Sequence, residues 1–297
     1  MERVIKNVQC TFKQGLDSQE RHQGIGLVLS GGGVRGAAHI GVYQALIESG
    51  IKPDYIAGSS AGAIVGALIG AGYKPDEMLD FFLRTPLFKF SYMTSRKPGV
   101  LDTDKYESLF RIFFPDDSFS SLQIPVHVIA TDMEVGEWIS FNQGELIRPL
   151  LASASLPPIF SPVEIRGKLY SDGGIMNNFP VEVLQSYTEN IIGSHVNPVM
   201  QKNYVDLSNT LKLMNRAYEL RLHTDAKNKF SHCMHVFLHP DLGKIGILDR
   251  AKLKLAYEMG LRHGRTEVTS FIQKIESPKY SQFLSDTHLN GFRYRYI

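Results

Sequence analysis

Residues 24–36, GIGLVLSGGGVRG, and residues 54–73, DYIAGSSAGAIVGALIGAGY, decide the fold. GIGLVLS (24–30) is a contiguous apolar run, the composition of a strand buried on both faces in a parallel sheet. A glycine turn follows, and Ala37 to Ser49 carries helical apolar periodicity. DYIAG (54–58) reads as a second short strand, and Ala61 to Ala71 as a second helix. Strand, glycine loop, helix, strand, turn, helix predicts an α/β fold with a central, mostly parallel sheet covered on both faces.

The rest of the chain extends this pattern. IPVHVIATD (124–132), NIIGSHV (190–196) and MHVFLHP (234–240) read as strands, and PVEI with KLYSD as a strand pair around Arg166-Gly167. Leu150 to Pro158 reads as a small-residue turn, the polar stretch 203–232 as helical, and 249–273 as an amphipathic helix with Leu253, Tyr257 and Leu261 on one stripe. With no repeat, low-complexity tract or clear linker, the expectation is one domain over 24–276. A polar arm (1–23) precedes it, and a tail (277–297) of unassigned role follows.

Composition excludes several classes. Apolar residues make up 43% and charged residues 21%, the balance of an ordinary globular protein. A net charge of +2 with scattered Lys and Arg argues against nucleic acid. The two cysteines, Cys10 and Cys233, form no disulfide framework, and MERVIKNVQCTFKQG lacks an apolar signal core, so a cytoplasmic location is expected. Residues 56–73 are nearly uncharged, with Gly58, Gly62, Gly66 and Gly70 spaced like a packed membrane helix. The same glycines let a helix lie close against a sheet, and the serine- and glycine-rich start makes a poor span.

Gly58-Ser59-Ser60-Ala61-Gly62 fits G-x-S-x-G. A nucleophile on a sharp strand-to-helix turn needs small neighbours two positions either side, because the backbone there is strained and crowded. The turn also puts Ser60 at a helix N-terminus, where free N–H groups favour developing negative charge. One βα unit earlier, Gly31-Gly32-Gly33-Val34-Arg35-Gly36 offers backbone N–H groups that can converge on an oxyanion. Loops after successive parallel strands lie on one edge of the sheet, so the glycine loop and Ser60 should face one another. A rival reading exists: Gly31, Gly33 and Gly36 also satisfy G-x-G-x-x-G, with Asp54 near the position of a ribose-binding acid. Asp54, however, falls at the start of the second strand, and such an acid belongs at the carboxyl end.

Ser60 needs a base. Asp172, in Ser171-Asp172-Gly173-Gly174, ends a short strand and is followed by glycines that permit close approach. Burial would raise a carboxylate from its reference pKa of about 4 toward a useful range. Asp-Gly-Gly is equally the composition of a plain turn. Asp132 also ends a strand, and among ten histidines His39, His195, His235 and His239 leave room for a Ser-His-Asp triad.

Residues 81–97, FFLRTPLFKFSYMTSRK, interleave Phe81, Phe82, Leu87, Phe88, Phe90, Tyr92 and Met93 with Arg84, Lys89, Arg96 and Lys97. That composition suits core packing, a lid over an acyl pocket, or peripheral contact with an anionic membrane.

Taken together, Gly31–Gly36, Gly58–Gly62 and Asp172-Gly173-Gly174 resemble the three motifs of patatin-like phospholipases, in the bacterial branch related to neuropathy target esterase. ATDMEVGEW (130–138), LLASASLPPIFSPVEI (150–165) and SDGGIMNNFPVEVL (171–184) resemble that family's connecting blocks. The likeness covers 24–198 well and the helix from about Leu248 more loosely; Gly174 departs from the alanine common in plant members. The resemblance implies a three-layer α/β/α fold and hydrolysis of lipid acyl esters. It also implies a Ser60–Asp172 dyad without histidine and an oxyanion hole at Gly32, Gly33 and Val34 with Arg35 nearby. It implies no metal and no cofactor. The alternatives are a Ser-His-Asp esterase on small esters and a non-catalytic nucleotide- or lipid-binding module. No oligomeric state is implied.

Overall fold

β1 (Ile25–Leu29) and β2 (Tyr55–Ser59) pair in parallel at the centre of the sheet, joined through helix α1 (Ala37–Glu48). The computed structural model describes residues 24–86 and 90–276. The arm 1–23 with Cys10, the tail 277–297, and Leu87, Phe88 and Lys89 lie outside the described residues. After β2 come α2 (Ala61–Gly70), α3 (Pro75–Arg84), α4 (Glu107–Phe113), β3 (Val126–Asp132) and β4 (Glu137–Phe141). Then follow α5 (Ile147–Ser153), β5 (Val163–Ile165), β6 (Lys168–Asp172) and α6 (Val181–Leu184). β7 (Asn190–His195), α7 (Thr210–Lys227), β8 (His235–Leu238) and α8 (Leu253–Glu276) complete the chain.

The strand order is β5-β6-β3-β2-β1-β7-β8, with β4 also paired to β3. From β3 to β8 this path is parallel, whereas β4, β5 and β6 are antiparallel additions at one side. Alternation along the strands separates two cores. Leu27, Leu29 and Ile56 face a large cluster with α1, α2, α5 and α8. Val28 and Ala57 face a smaller one with α6 and the end of α7. The sheet is therefore flanked by helices on both faces, as the βαβα opening predicts.

Two local readings need correction. The stretch 150–158 is not simply a turn: Ile147–Ser153 is helical, with Ile147, Leu150 and Leu151 buried. Its Ala, Ser and Pro content resembles a turn, but the apolar spacing begins three residues earlier. β4 also follows β3 as an antiparallel hairpin partner where no strand was expected. It is largely exposed and lacks the apolar alternation that marks a half-buried strand. Among the described residues no helix is long and apolar enough to cross a membrane. The run 56–73 is β2, a turn and the ten-residue α2.

The decisive feature lies on β3. β2 and β4 both pair with Val128 and Ile129, so they occupy opposite sides of β3. β6 and β4 likewise both pair with Ala130 to Asp132, so β6 lies on the side of β2. β2 leaves that side at Ser59, opposite Ile129, and β6 enters with Asp172 opposite Ala130. The residue after Ser59 and the last residue of β6 therefore meet end to end.

Candidate active site

Ser60 sits at this junction with φ 52° and ψ −124°, a left-handed conformation for a residue with a Cβ. The turn exists because its neighbours are small. A Cβ at Gly58 would lie 2.6 Å from Ala63 N, and one at Gly31 would lie 2.6 Å from Asn178 Oδ1 and 3.0 Å from Ser60 Cβ. Ser60 N donates to Ser153 Oγ at 2.8 Å, so α5 holds the turn from beneath. The side chain is left free to point along the sheet edge, at the N-terminus of α2.

Ser60 Oγ donates to Asp172 Oδ2 at 2.7 Å. Asp172 is 3% exposed. Its Oδ1 accepts from Gly174 N at 2.8 Å, and the Tyr218 hydroxyl on α7 also donates to the carboxylate. Thr131 Oγ1 donates to the Asp172 carbonyl at 2.8 Å, tying the backbone to β3. Burial pushes the Asp172 carboxyl up to about 6, because desolvation outweighs the lowering by Ser60, Gly174 and Tyr218. A Cβ at Gly173 would fall 2.6 Å from Ser59 Oγ, which is why Asp172 can lie so near β2.

The glycine loop faces the same cavity. Gly33 holds φ +57°, the one position in the loop that requires left-handed backbone, and it packs on Ile247. Gly31 N donates to Asn178 Oδ1 at 3.1 Å, Val34 N to Ile247 O at 2.8 Å and Arg35 N to Gly32 O at 3.2 Å. Gly32 N and Gly33 N make no hydrogen bond among the described residues. Of the four residues expected around an oxyanion, Val34 and Arg35 thus have their backbone donors already engaged. The Arg35 side chain is turned into the protein: Nε donates to Ile245 O at 2.6 Å and Nη2 to Glu219 Oε1 at 2.9 Å. Gly36 and Gly62 stand where the loop and α2 cross, with a Cβ on Gly36 directed at Ala61.

Gly31 to Val34, Ser60 and Asp172 line one cavity of about 130 Å³. Its walls are largely apolar, including Phe81, Phe82, Tyr106, Phe110, Leu151 and Phe160. Sequence reading overlooked Ser153, Asn178, Tyr218 and Glu219. Asn178 and Ser153 fall within blocks that carry the resemblance, which offered a signal; Tyr218 and Glu219 arrive from a remote polar segment.

The other candidates stand apart. His39 is fully buried, with Nε2 donating to Ser30 O and Nδ1 accepting from Ser194 Oγ, both at 2.8 Å, so neither nitrogen is available to Ser60. His195 Nε2 donates to Asn197 O, and His235 lies against Glu267 on α8. His239 is buried beside His263. Asp132 is tied to Glu134 N, Val135 N and Lys168. Asp54 accepts from Ile25 N at the opposite edge of the sheet from the glycine loop. Among the described residues no group of His, Cys, Asp and Glu is placed to hold a metal ion. In the segment 81–97, Phe81 is buried, Tyr92 packs on Tyr106, and Lys97 pairs with Asp102 and Asp104.

The family model for patatin-like phospholipases matches residues 27–184. An uncharacterised NTE family protein of Mycobacterium tuberculosis is 34% identical over 160 residues, covering 53% of this chain and 44% of its own length. A patatin-like phospholipase domain-containing protein of Caenorhabditis elegans is 29% identical over 282 residues, covering 81% of this chain and 20% of its own. The chain thus spans less than half the length of these relatives. The crystal structure of VipD from Legionella pneumophila superposes with a TM-score of 0.51 at 14% identity, over 83% of this chain and 67% of that one, a likeness of fold. The model match runs from β1 through the glycine loop, Ser60 and Asp172 to α6, and on it the chain belongs to the patatin-like phospholipase family.

Proposed function

We propose that this protein is a serine hydrolase of lipid acyl esters that works through a Ser60–Asp172 dyad. The observation that carries the reading is the 2.7 Å contact from Ser60 Oγ to a buried carboxylate at a strained strand-to-helix turn. Family membership supports the substrate class, and the apolar cavity beside Ser60 suits an acyl chain.

Ser60 Oγ attacks the ester carbonyl carbon as its proton passes to Asp172 Oδ2. The N–H groups of Gly32 and Gly33, with the N-terminus of α2 behind them, receive the developing oxyanion. Collapse of the tetrahedral adduct expels the alcohol, which takes the proton from Asp172 and leaves Ser60 acylated. Water then attacks the acyl-enzyme, Asp172 again taking a proton, and the fatty acid departs as Ser60 Oγ is reprotonated. A carboxylate with its pKa near 6 is a better base than an exposed aspartate and is still ionised at neutral pH. In this reading Arg35 braces the loop through Ile245 and Glu219 and does not touch the oxyanion. Residues 24–276 act as one hydrolase domain, and the low cysteine usage favours work in the cytoplasm.

The test is fluorophosphonate labelling together with hydrolysis of short esters, lysophospholipids and phospholipids. Wild type should label on Ser60 and hydrolyse at least one class; Ser60→Ala should do neither while remaining folded. Full activity in folded Asp172→Asn, or abolition by a substitution at His195 or His239 alone with the fold intact, would replace the dyad by another base.

A further inference from the structure

Helix α7 packs one face on the cavity and, in its first three turns, exposes large apolar residues away from it. Tyr218, Glu219 and Leu222 line the catalytic cavity. At 100° per residue, Leu213, Ala217 and Leu220 project on the far side, and Met214, one turn before Tyr218, lies on the flank between the two sides. Leu213 is 55% exposed, Met214 57% and Leu220 42%, and on the preceding turn Tyr204 is 90% and Val205 76% exposed. A surface helix that packs on one side normally turns charged and polar residues outward. Here the helix that bonds Asp172 through Tyr218 exposes large apolar side chains away from the cavity, clustered within some twenty residues. Such a patch marks an interaction surface.

The charges around it select the partner. Lys202 and Lys212 are exposed within the same segment, and Arg221, also exposed, pairs with Asp225. Asp206 is the one exposed acid between Val199 and Leu220, and it is engaged by Asn203 N at 2.9 Å. Glu219, the other acid of that stretch, faces inward onto Arg35. Leucine, methionine, valine and tyrosine interspersed with Lys202 and Lys212 match the requirements of an anionic lipid interface: apolar anchors for the acyl boundary, tyrosine for the headgroup level and cations for lipid charge. We propose that residues 199–221 are the surface by which this protein docks on an anionic bilayer, with α7 standing between the lipid and the dyad.

This inference rests on the hydrolase reading above for its meaning but not for its test. The full chain is sedimented with vesicles of phosphatidylcholine alone and of phosphatidylcholine with phosphatidylserine, and assayed separately on a soluble short-chain ester. Wild type should bind the anionic vesicles, and less at high salt. Leu213→Asp with Met214→Asp should reduce that binding about tenfold or more, since two anchors are replaced by charges repelled by the surface. Hydrolysis of the soluble ester should change less than about twofold, because neither residue lines the cavity. Ile112→Asp, equally exposed on α4, should leave vesicle binding unchanged. Should the double variant misfold, Lys202→Glu with Lys212→Glu, both on exposed positions, should still lower binding to anionic vesicles about tenfold. Wild-type binding absent, or unchanged in a variant that hydrolyses the short ester normally, overturns the proposal. So does a dimer that the double substitution converts to monomer while vesicle binding persists, because the patch would then belong to a second copy. Absent ester hydrolysis with intact vesicle binding would instead remove the hydrolase reading and leave the docking surface standing.

Discussion

Asp172→Asn should make the protein less active and more stable, and the gain should grow with pH. The carboxyl rises from 3.8 in the unfolded chain to about 6 in the fold because burial disfavours its charge. Between those values the folded state holds a proton that the unfolded state has released, so this group lowers stability as pH rises through the window and the loss is complete above pH 6. At about 1.4 kcal/mol for each tenfold change in the protonation equilibrium, the charged carboxylate costs the fold about 3 kcal/mol at pH 8 and about half of that at pH 5. An amide carries no such cost. It also cannot accept from Ser60, Gly174 and Tyr218 together, and one lost bond costs about 1–2 kcal/mol at every pH.

The pH-independent loss cancels when stability differences are compared across pH. Urea unfolding of wild type and Asp172→Asn from pH 8 to pH 5 should show the variant's relative stability falling by about 1–2 kcal/mol over that range. Ester hydrolysis should be lower by about 10² to 10⁴-fold throughout. A stability difference that does not move with pH would mean that Asp172 is not held as a buried, charged base, and the electrostatic reasoning about the site would fail.

Four other measurements probe the same construction. In wild type, kcat on a soluble ester should fall as pH drops through about 6, as a base with that pKa is protonated; a profile flat to pH 5 would contradict Asp172 as the base. Tyr218→Phe removes a donor that holds the Asp172 carboxyl down, so the profile should move up by about one pH unit with kcat at pH 8.5 nearly kept, whereas a merely structural role would scale kcat without moving the midpoint. Glu219→Gln removes the charge that faces the buried Arg35, and Arg35→Lys gives up the guanidinium fork that reaches Ile245 and Glu219 together; each should lower stability by about 2–4 kcal/mol with kcat following, and normal stability with low kcat would give Arg35 a direct part in the reaction. Burial holds His39 and His127 down to about 4 and His195 to about 3, so the unfolded state binds more protons below 6.5, and wild-type stability should drop by several kcal/mol between pH 7 and pH 4.5 in chemical unfolding.

The fold was largely legible because its signals are local. A contiguous apolar run, a glycine loop and a small-residue turn each act within a few positions, and β1, α1, β2 and α2 lie within a residue or so of the expected bounds. β4 was invisible because an exposed edge strand need not alternate. The helix at Ile147–Ser153 was hidden because alanine and serine serve a buried helix as readily as a turn. Ser60's place on a strand-to-helix turn could be read from its glycines. The partners of Asp172 and Arg35 could not, since Tyr218 and Glu219 lie in a polar stretch whose inward face is set only by tertiary packing. The segment 81–97 shows the same limit from the other side, because its composition fits core, lid and membrane alike, whereas Phe81 is buried and Lys97 is paired.

Those two inward contacts of α7 bear on how the site and its surface work together. Tyr218 bonds Asp172 and Glu219 holds the arginine of the glycine loop, so one helix is bonded to both sides of the cavity at Ser60. Neither contact is replaceable by water without cost, because Asp172 and Arg35 are each 3% exposed. A displacement of α7 would therefore shift the pKa of Asp172, removing the Tyr218 bond that lowers it and relieving the burial that raises it, and would loosen the loop at once. The outward side of that helix bears the apolar residues proposed to meet lipid, which gives docking a mechanical route to Ser60 and Asp172. If that route operates, anionic vesicles should change the kcat midpoint for a soluble ester in wild type but not in Tyr218→Phe, where the link to Asp172 is already cut. An identical vesicle effect in both would leave the surface as an anchor with no influence on the chemistry.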